Sequence, residues 1–152
     1  MLDIRAHIVS DPTADSEAPL QIRLSTNERG TELHLTPKPD GRGSATNGGE
    51  LLCLALATCF CNDIYREAAA RGIAIARVEI EVQSTFGGPG EPARTLAYRT
   101  RVEGQASDDE LRTLVAHTDR VAEVQNTLRA GLAVRLEAVE VKARPLPAGP
   151  AA

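Results

Sequence analysis

Aromatic residues, cysteine and long apolar runs are all scarce in this chain, and each shortage removes a class of protein. Two tyrosines, two phenylalanines and no tryptophan leave little with which to stack nucleobases. The 17 Lys and Arg are scattered among 21 Asp and Glu, for a net charge of -4. With pI near 5.4 and no basic run, the footprint of nucleic-acid binding is missing. The longest apolar stretch, residues 51–61, is far too short to cross a bilayer. The opening "MLDIRAHIVSD" carries charges where a signal peptide needs an apolar run. The expectation is a cytoplasmic protein, in which free thiols stay reduced.

What is there suits one soluble domain with a real core: 152 residues, 42% hydrophobic and 25% charged. "LDIRAHIV", "LQIRLST" and "TELHLTP" alternate apolar and polar residues, and the turn-rich "SDPTADSEAP" and "NERG" separate them, so three antiparallel strands are expected. The Pro, Gly, Ser and Asn of "PKPDGRGSATNGG" mark a loop, with Asn47 placed to cap a helix that runs to about Arg71 and stops at Gly72. "IAIARVEIEVQSTF" and "RTLAYRTRVEG" read as a long hairpin around "GGPGEPA", whose glycines lie between strands and so do not cradle phosphate. Ser107 and Glu110 form a capping-box signature for a second helix, which accounts for the acidic run there. "AEVQNTLRAG" is a short third helix, "LAVRLEAVEVKAR" a last strand, and residues 145–152, "PLPAGPAA", a disordered tail after a single domain over 1–144. The order β-β-β-α-β-β-α-α-β is an α+β fold, helices against a mainly antiparallel sheet.

All three cysteines, Cys53, Cys59 and Cys61, fall in "GGELLCLALATCFCNDIYREAAARG". Residues 51–60 are apolar or Cys except Thr58, so this half of the helix is expected to be buried all round. A chain this short has little material to enclose a helix, and a homodimer that covers it is expected. Three readings of the thiols stand side by side. Cysteine is a common inert core residue, and Cys53 at the greasiest point fits that reading. A metal site fails on geometry, because Cys59 and Cys61 differ by about 200° around a helix and His7, His34 and His117 lie on other elements. A reactive thiol fits Cys59 best, near where burial gives way to the polar Asn62 and Asp63, although no local cation activates it.

The segment "TNGGELLCLALATCFCNDIYREAAARGIAIARVEIEV" resembles the central part of the OsmC/Ohr family, the osmotically inducible and organic hydroperoxide resistance proteins. "AEVQNTLRAG" is similar to that family's second motif, Cys-Pro-Val-x-Asn-Thr-Leu. The resemblance implies an intertwined homodimer with central helices at its interface, and a peroxidatic cysteine that falls on Cys59. It also implies three partners that do not match. The resolving cysteine falls on Ala122, beside Glu123 in place of the motif's proline. The family glutamate falls on Gly49, with Glu50 one place later. The family arginine has only Arg23 and Arg29 nearby. Asn126 and Thr127 match the second motif and are expected to cap or pack. Cys53 lies about 9 Å along the axis from Cys59 and Cys61 on another face, so neither can resolve it by a disulfide. The expected activity is reduction of small organic hydroperoxides in a one-cysteine cycle, with Cys59 and Glu50 as candidate catalytic residues, an external thiol as reductant and no metal or cofactor. The other reading is an OsmC-like dimer that binds a small apolar or electrophilic molecule without turning it over.

Overall fold

The computed structural model describes residues 2–11 and 20–143. The turn at 12–19 and the tail at 145–152 lie outside the described residues. Eight elements follow one another: β1 (Ile4–Ser10), β2 (Leu20–Thr26), β3 (Arg29–Thr31), α1 (Gly48–Ala70), β4 (Ile75–Phe86), β5 (Ala93–Gly104), α2 (Asp108–Val121) and α3 (Glu123–Arg129). The architecture is mixed α+β, with two antiparallel sheets ordered β1-β2-β3 and β4-β5. Asn27, at φ 52°, takes the left-handed conformation that a tight hairpin turn between β2 and β3 requires. The third strand is shorter than its alternation predicts: pairing stops at Leu24↔Thr31, and 32–36 leave the sheet.

Local chemistry sets the helix limits. Asn47 accepts from the Glu50 amide while Glu50 Oε2 accepts from the Asn47 amide at 2.7 Å, a reciprocal cap that opens α1. Gly72, at φ 68°, closes it, and the Ile73 amide folds back on Ala68 O at 3.0 Å. Ser107 and Glu110 repeat the capping box at α2. The long hairpin β4-β5 then supplies the surface on which α1 and α2 lie.

The core forms where one stripe of α1 meets that hairpin and α2. Phe60, Ile64 and Ala68, spaced four apart, pack with Leu114 and Ala122, and Ile75, Val78, Ile80, Tyr98 and Val102 close around them. Full burial of Phe60, Ile64 and Leu114 contributes roughly 1.5–3 kcal/mol each relative to exposure.

Two expectations need correction. The first half of α1 is not buried all round within one chain: Leu56 and Phe60 are buried, but Leu54 is 57% exposed, because the hairpin and α2 cover only one side. The last strand is not formed either. Residues 132–143 pair with nothing described, and Val134 and Val141 stand 98% and 90% exposed. A strand needs an open edge to pair with, and this segment meets none among the described residues. In β1, Ile4 and Ile8 are exposed in the same way.

Candidate functional site

One face of α1 beyond its midpoint carries Cys59, Asp63, Arg66 and Glu67, spaced by the three- and four-residue intervals that bring helical side chains together. Opposite, α2 ends at Ala122, whose extended backbone (φ -65°, ψ 115°) turns the chain into α3. Ala122 is fully buried in the core, which fixes Glu123 and Val124 against α1. The Cys59 thiol donates to Asp63 Oδ2 at 3.4 Å and lies 3.9 Å from Glu123 Oε2. Arg66 Nη1 donates to Asp63 Oδ1 at 2.5 Å and to Glu123 Oε1 at 3.4 Å. Its Nε donates to Glu67 Oε1 at 3.2 Å, and Glu67 in turn holds Arg71 and, at 3.0 Å, His117.

The electrostatics follow from this crowding. Burial pushes the Cys59 thiol up from its ordinary range; the Val124 amide, donating to the sulfur, pulls it back in part, and Asp63 and Glu123 push it up further. Burial likewise raises Asp63, against the opposing pull of the Cys59 thiol and of Arg66, and Glu123 adds to the rise. The result is a neutral thiol hydrogen-bonded to a dry carboxylate, rather than a thiolate beside a cation.

The other sequence-derived candidates fall elsewhere. Glu50 is nine positions before Cys59, roughly 13 Å along the helix, and its carboxylate is engaged in the cap. The structure does not bring these two together within the chain. Arg23 lies on β2 and Arg29 on β3, and neither contributes to the cluster around Cys59. A side chain at Gly49 would place its Cβ 2.9 Å from the Phe86 ring of β4, so the position admits one only if that ring moves. Cys61 faces Val78 and Ile80, and Cys53 borders a shallow cleft with Glu50 and Phe86; all three thiols are free. Sulfur and carboxylate atoms of Cys59, Asp63 and Glu123 lie within 4.8 Å of one another. Arg66 bridges the two carboxylates, so a cation at this cluster would compete with a guanidinium already paired to both. The sequence points to Asp63 only as a polar neighbour of Cys59 and misses Arg66 as its partner; their spacing, four and seven positions after Cys59, is the available signal.

Beside the core a cleft of about 630 Å³ runs between β5 and α2, lined among others by Phe60, Tyr98, Leu111, Val115 and Asp119. The Tyr98 hydroxyl donates to Asp119, which also receives Arg129 at 2.6 Å. Phe60 tilts against Tyr98 with ring centroids 5.0 Å apart.

Fold and site together define a thiol-bearing α+β domain in which the second helical corner sits over a cysteine of the long helix. The profile of the OsmC-like protein family matches residues 41–137, more than half of the chain. The chain belongs to that family. Among solved structures it is similar to an OsmC-like protein from Mycoplasma pneumoniae, with 17% identity, 86% of this chain and 89% of that one covered, and a TM-score of 0.58. An OsmC-like hydroperoxide resistance protein from Jannaschia sp. is similar at 10% identity, 89% and 90% coverage and a TM-score of 0.50. At these identities the likeness is one of fold. Comparison with curated proteins finds no match. No described helix is long and apolar enough to cross a membrane.

Proposed function

We propose that this protein is a cytoplasmic, homodimeric thiol peroxidase that reduces small organic hydroperoxides through Cys59, with an external thiol as reductant. The observation that carries the reading is the seat of Cys59. Its sulfur is half-buried under α3, receives the Val124 amide and touches a carboxylate that can take its proton, while Ala122 leaves no second thiol beside it. Such a site forms a sulfenic acid that a thiol from outside must reduce.

The dimer belongs to the same reading. Leu132, Val134, Leu136, Val139 and Val141 are 67–98% exposed on a segment without a strand partner, and a second copy would supply both edge and cover. The second reading, a binding protein that does not turn over its ligand, is favoured by the raised thiol and by the apolar cleft between β5 and α2.

Intact mass after brief exposure to a small organic hydroperoxide with a sulfenic-acid trap separates the two. An adduct on wild type and none on Cys59→Ser supports the peroxidase. Unmodified wild type refutes it and leaves the binding reading.

A further inference from the structure

A protonated thiol attacks a peroxide poorly, and an alkoxide leaves poorly without a proton; both problems concern one proton and arise within a few ångströms of each other. We propose that Asp63 is a catalytic proton shuttle, taking the Cys59 proton as sulfur attacks and delivering it to the departing alkoxide. The proposal rests on the peroxidase reading and names a residue that neither the spacing of the cysteines nor the family motifs single out.

The balance closes without further reactants. Cys59–SH and ROOH give Cys59–SOH and ROH: the S–O bond forms, the O–O bond breaks, sulfur loses two electrons to the peroxide, and the thiol hydrogen ends on ROH. Two equivalents of an external thiol then return Cys59–SH, yielding their disulfide and water.

Geometry selects Asp63 over Glu123 for this task. The thiol donates to Asp63 Oδ2 at 3.4 Å but only approaches Glu123 at 3.9 Å. The Asp63 side chain is 4% exposed, against 68% for Glu123, so water does not compete for Asp63's proton. Arg66 grips the far oxygen, Oδ1, leaving Oδ2 aimed at sulfur, which makes Arg66 a positioning residue. The charged groups that act on Asp63 are Arg66 of its own helix and Glu123 of α3; His117 of α2 reaches them only through Glu67.

The test uses the full chain in a Cys53→Ser, Cys61→Ser background, so that Cys59 alone reports. Rates are measured near neutral pH for three reagents: iodoacetamide, an alkyl hydroperoxide and a peroxy acid. Alkylation needs only a thiolate, since the iodide that leaves iodoacetamide takes no proton. The alkyl hydroperoxide needs proton delivery, while the peroxy acid expels a stable carboxylate. In Asp63→Asn the negative charge beside sulfur is gone, so alkylation should speed up. Oxidation by the alkyl hydroperoxide should slow by about 10²-fold or more, with a much smaller loss for the peroxy acid. Asp63→Glu, which keeps a carboxylate, should recover part of the alkyl hydroperoxide rate. If both alkylation and alkyl hydroperoxide oxidation accelerate in Asp63→Asn, Asp63 is only an electrostatic neighbour and the shuttle is overturned. An unchanged alkyl hydroperoxide rate overturns it equally. A wild type inert to both peroxides instead removes the peroxidase reading itself.

Discussion

Replacing Arg66 by alanine measures how the buried carboxylate is held. The guanidinium touches Asp63 at 2.5 Å, Glu67 at 3.2 Å and Glu123 at 3.4 Å. Without it, Asp63 must stay charged in a dry site or take up a proton, and proton uptake caps the cost. A carboxylate of ordinary pKa near 3.9 costs about 1.4 kcal/mol per pH unit to protonate, which sets ceilings of about 4 kcal/mol at pH 7 and about 1.5 kcal/mol at pH 5, lowered by what the raised wild-type Asp63 already costs. The half-exposed arginine and the solvated Glu123 make their own pairing worth little. The sign follows from the direction of the shift. Burial already holds Asp63 above its ordinary value, and losing Arg66 raises it further. The deficit of the variant is therefore absent below the raised wild-type value of Asp63 and widens from there towards neutrality. Urea unfolding at one fixed protein concentration, at pH 4, 5 and 7, reads this as a growing gap between midpoints. Adding Asp63→Asn to Arg66→Ala should recover most of the pH 7 loss. An equal deficit at pH 5 and pH 7 would refute the argument.

Three further outcomes follow from single contacts. Gly49→Glu brings its Cβ to 2.9 Å from the rim of the half-exposed Phe86 ring, so it should cost about 0.5–1.5 kcal/mol as the ring leaves its rotamer, and Phe86→Ala in the same chain should relieve the loss in thermal melts. Gln125 is 3% exposed and bonds Leu56 O through Nε2, but its Oε1 is buried without a partner. Gln125→Leu gives up one hydrogen bond and removes one orphan acceptor, so stability should change by less than about 1 kcal/mol; a loss beyond about 2 kcal/mol would mean that Oε1 is satisfied. Tyr98→Phe removes the donor that, more than Arg129, holds Asp119 below its usual value. It should cost about 1 kcal/mol, a cost present above the ordinary aspartate range and fading as pH falls through the depressed one.

The parts of the fold legible in the sequence were those decided by near neighbours. The caps at Asn47 and Ser107 and the glycine stops at Gly72 and Gly131 are bonds or dihedrals within a few residues. Strand alternation in β4 and β5 works over the same range. Residues whose role depends on distant chain were misplaced. Alternation in 132–143 announces a strand, but no period in the sequence says which edge receives it. The apolar start of α1 reads as fully buried because composition counts greasy residues and not the surface available to cover them. At the site, Glu50 stood one place from the family position, yet a cap bond three residues away holds it at the helix start. Phe86, 37 positions further on, lies against Gly49, a contact no local pattern encodes.

The exchanges at the site belong together electrostatically. Where the resemblance of the motifs would put a glutamate and a Cys-Pro pair, this chain has Gly49 and Ala122-Glu123. Glu123 stands at the first residue of α3, where a negative charge favours the helix start. The same placement puts a carboxylate 3.9 Å from the Cys59 sulfur. A second one, Asp63, comes from within α1 at 3.4 Å. Two acidic groups beside one thiol oppose its ionisation, and Arg66 offsets them by pairing with the carboxylates rather than with sulfur. A cation paired with sulfur would release the proton to solvent, because it stabilises thiolate directly. Paired with Asp63, the cation keeps the proton inside the site and fixes the orientation of the oxygen that receives it. On the proposed shuttle the Cys59 proton stays between sulfur, Asp63 and the leaving oxygen, so the oxidation rate should follow the proton demand of the leaving group more closely than the thiolate fraction.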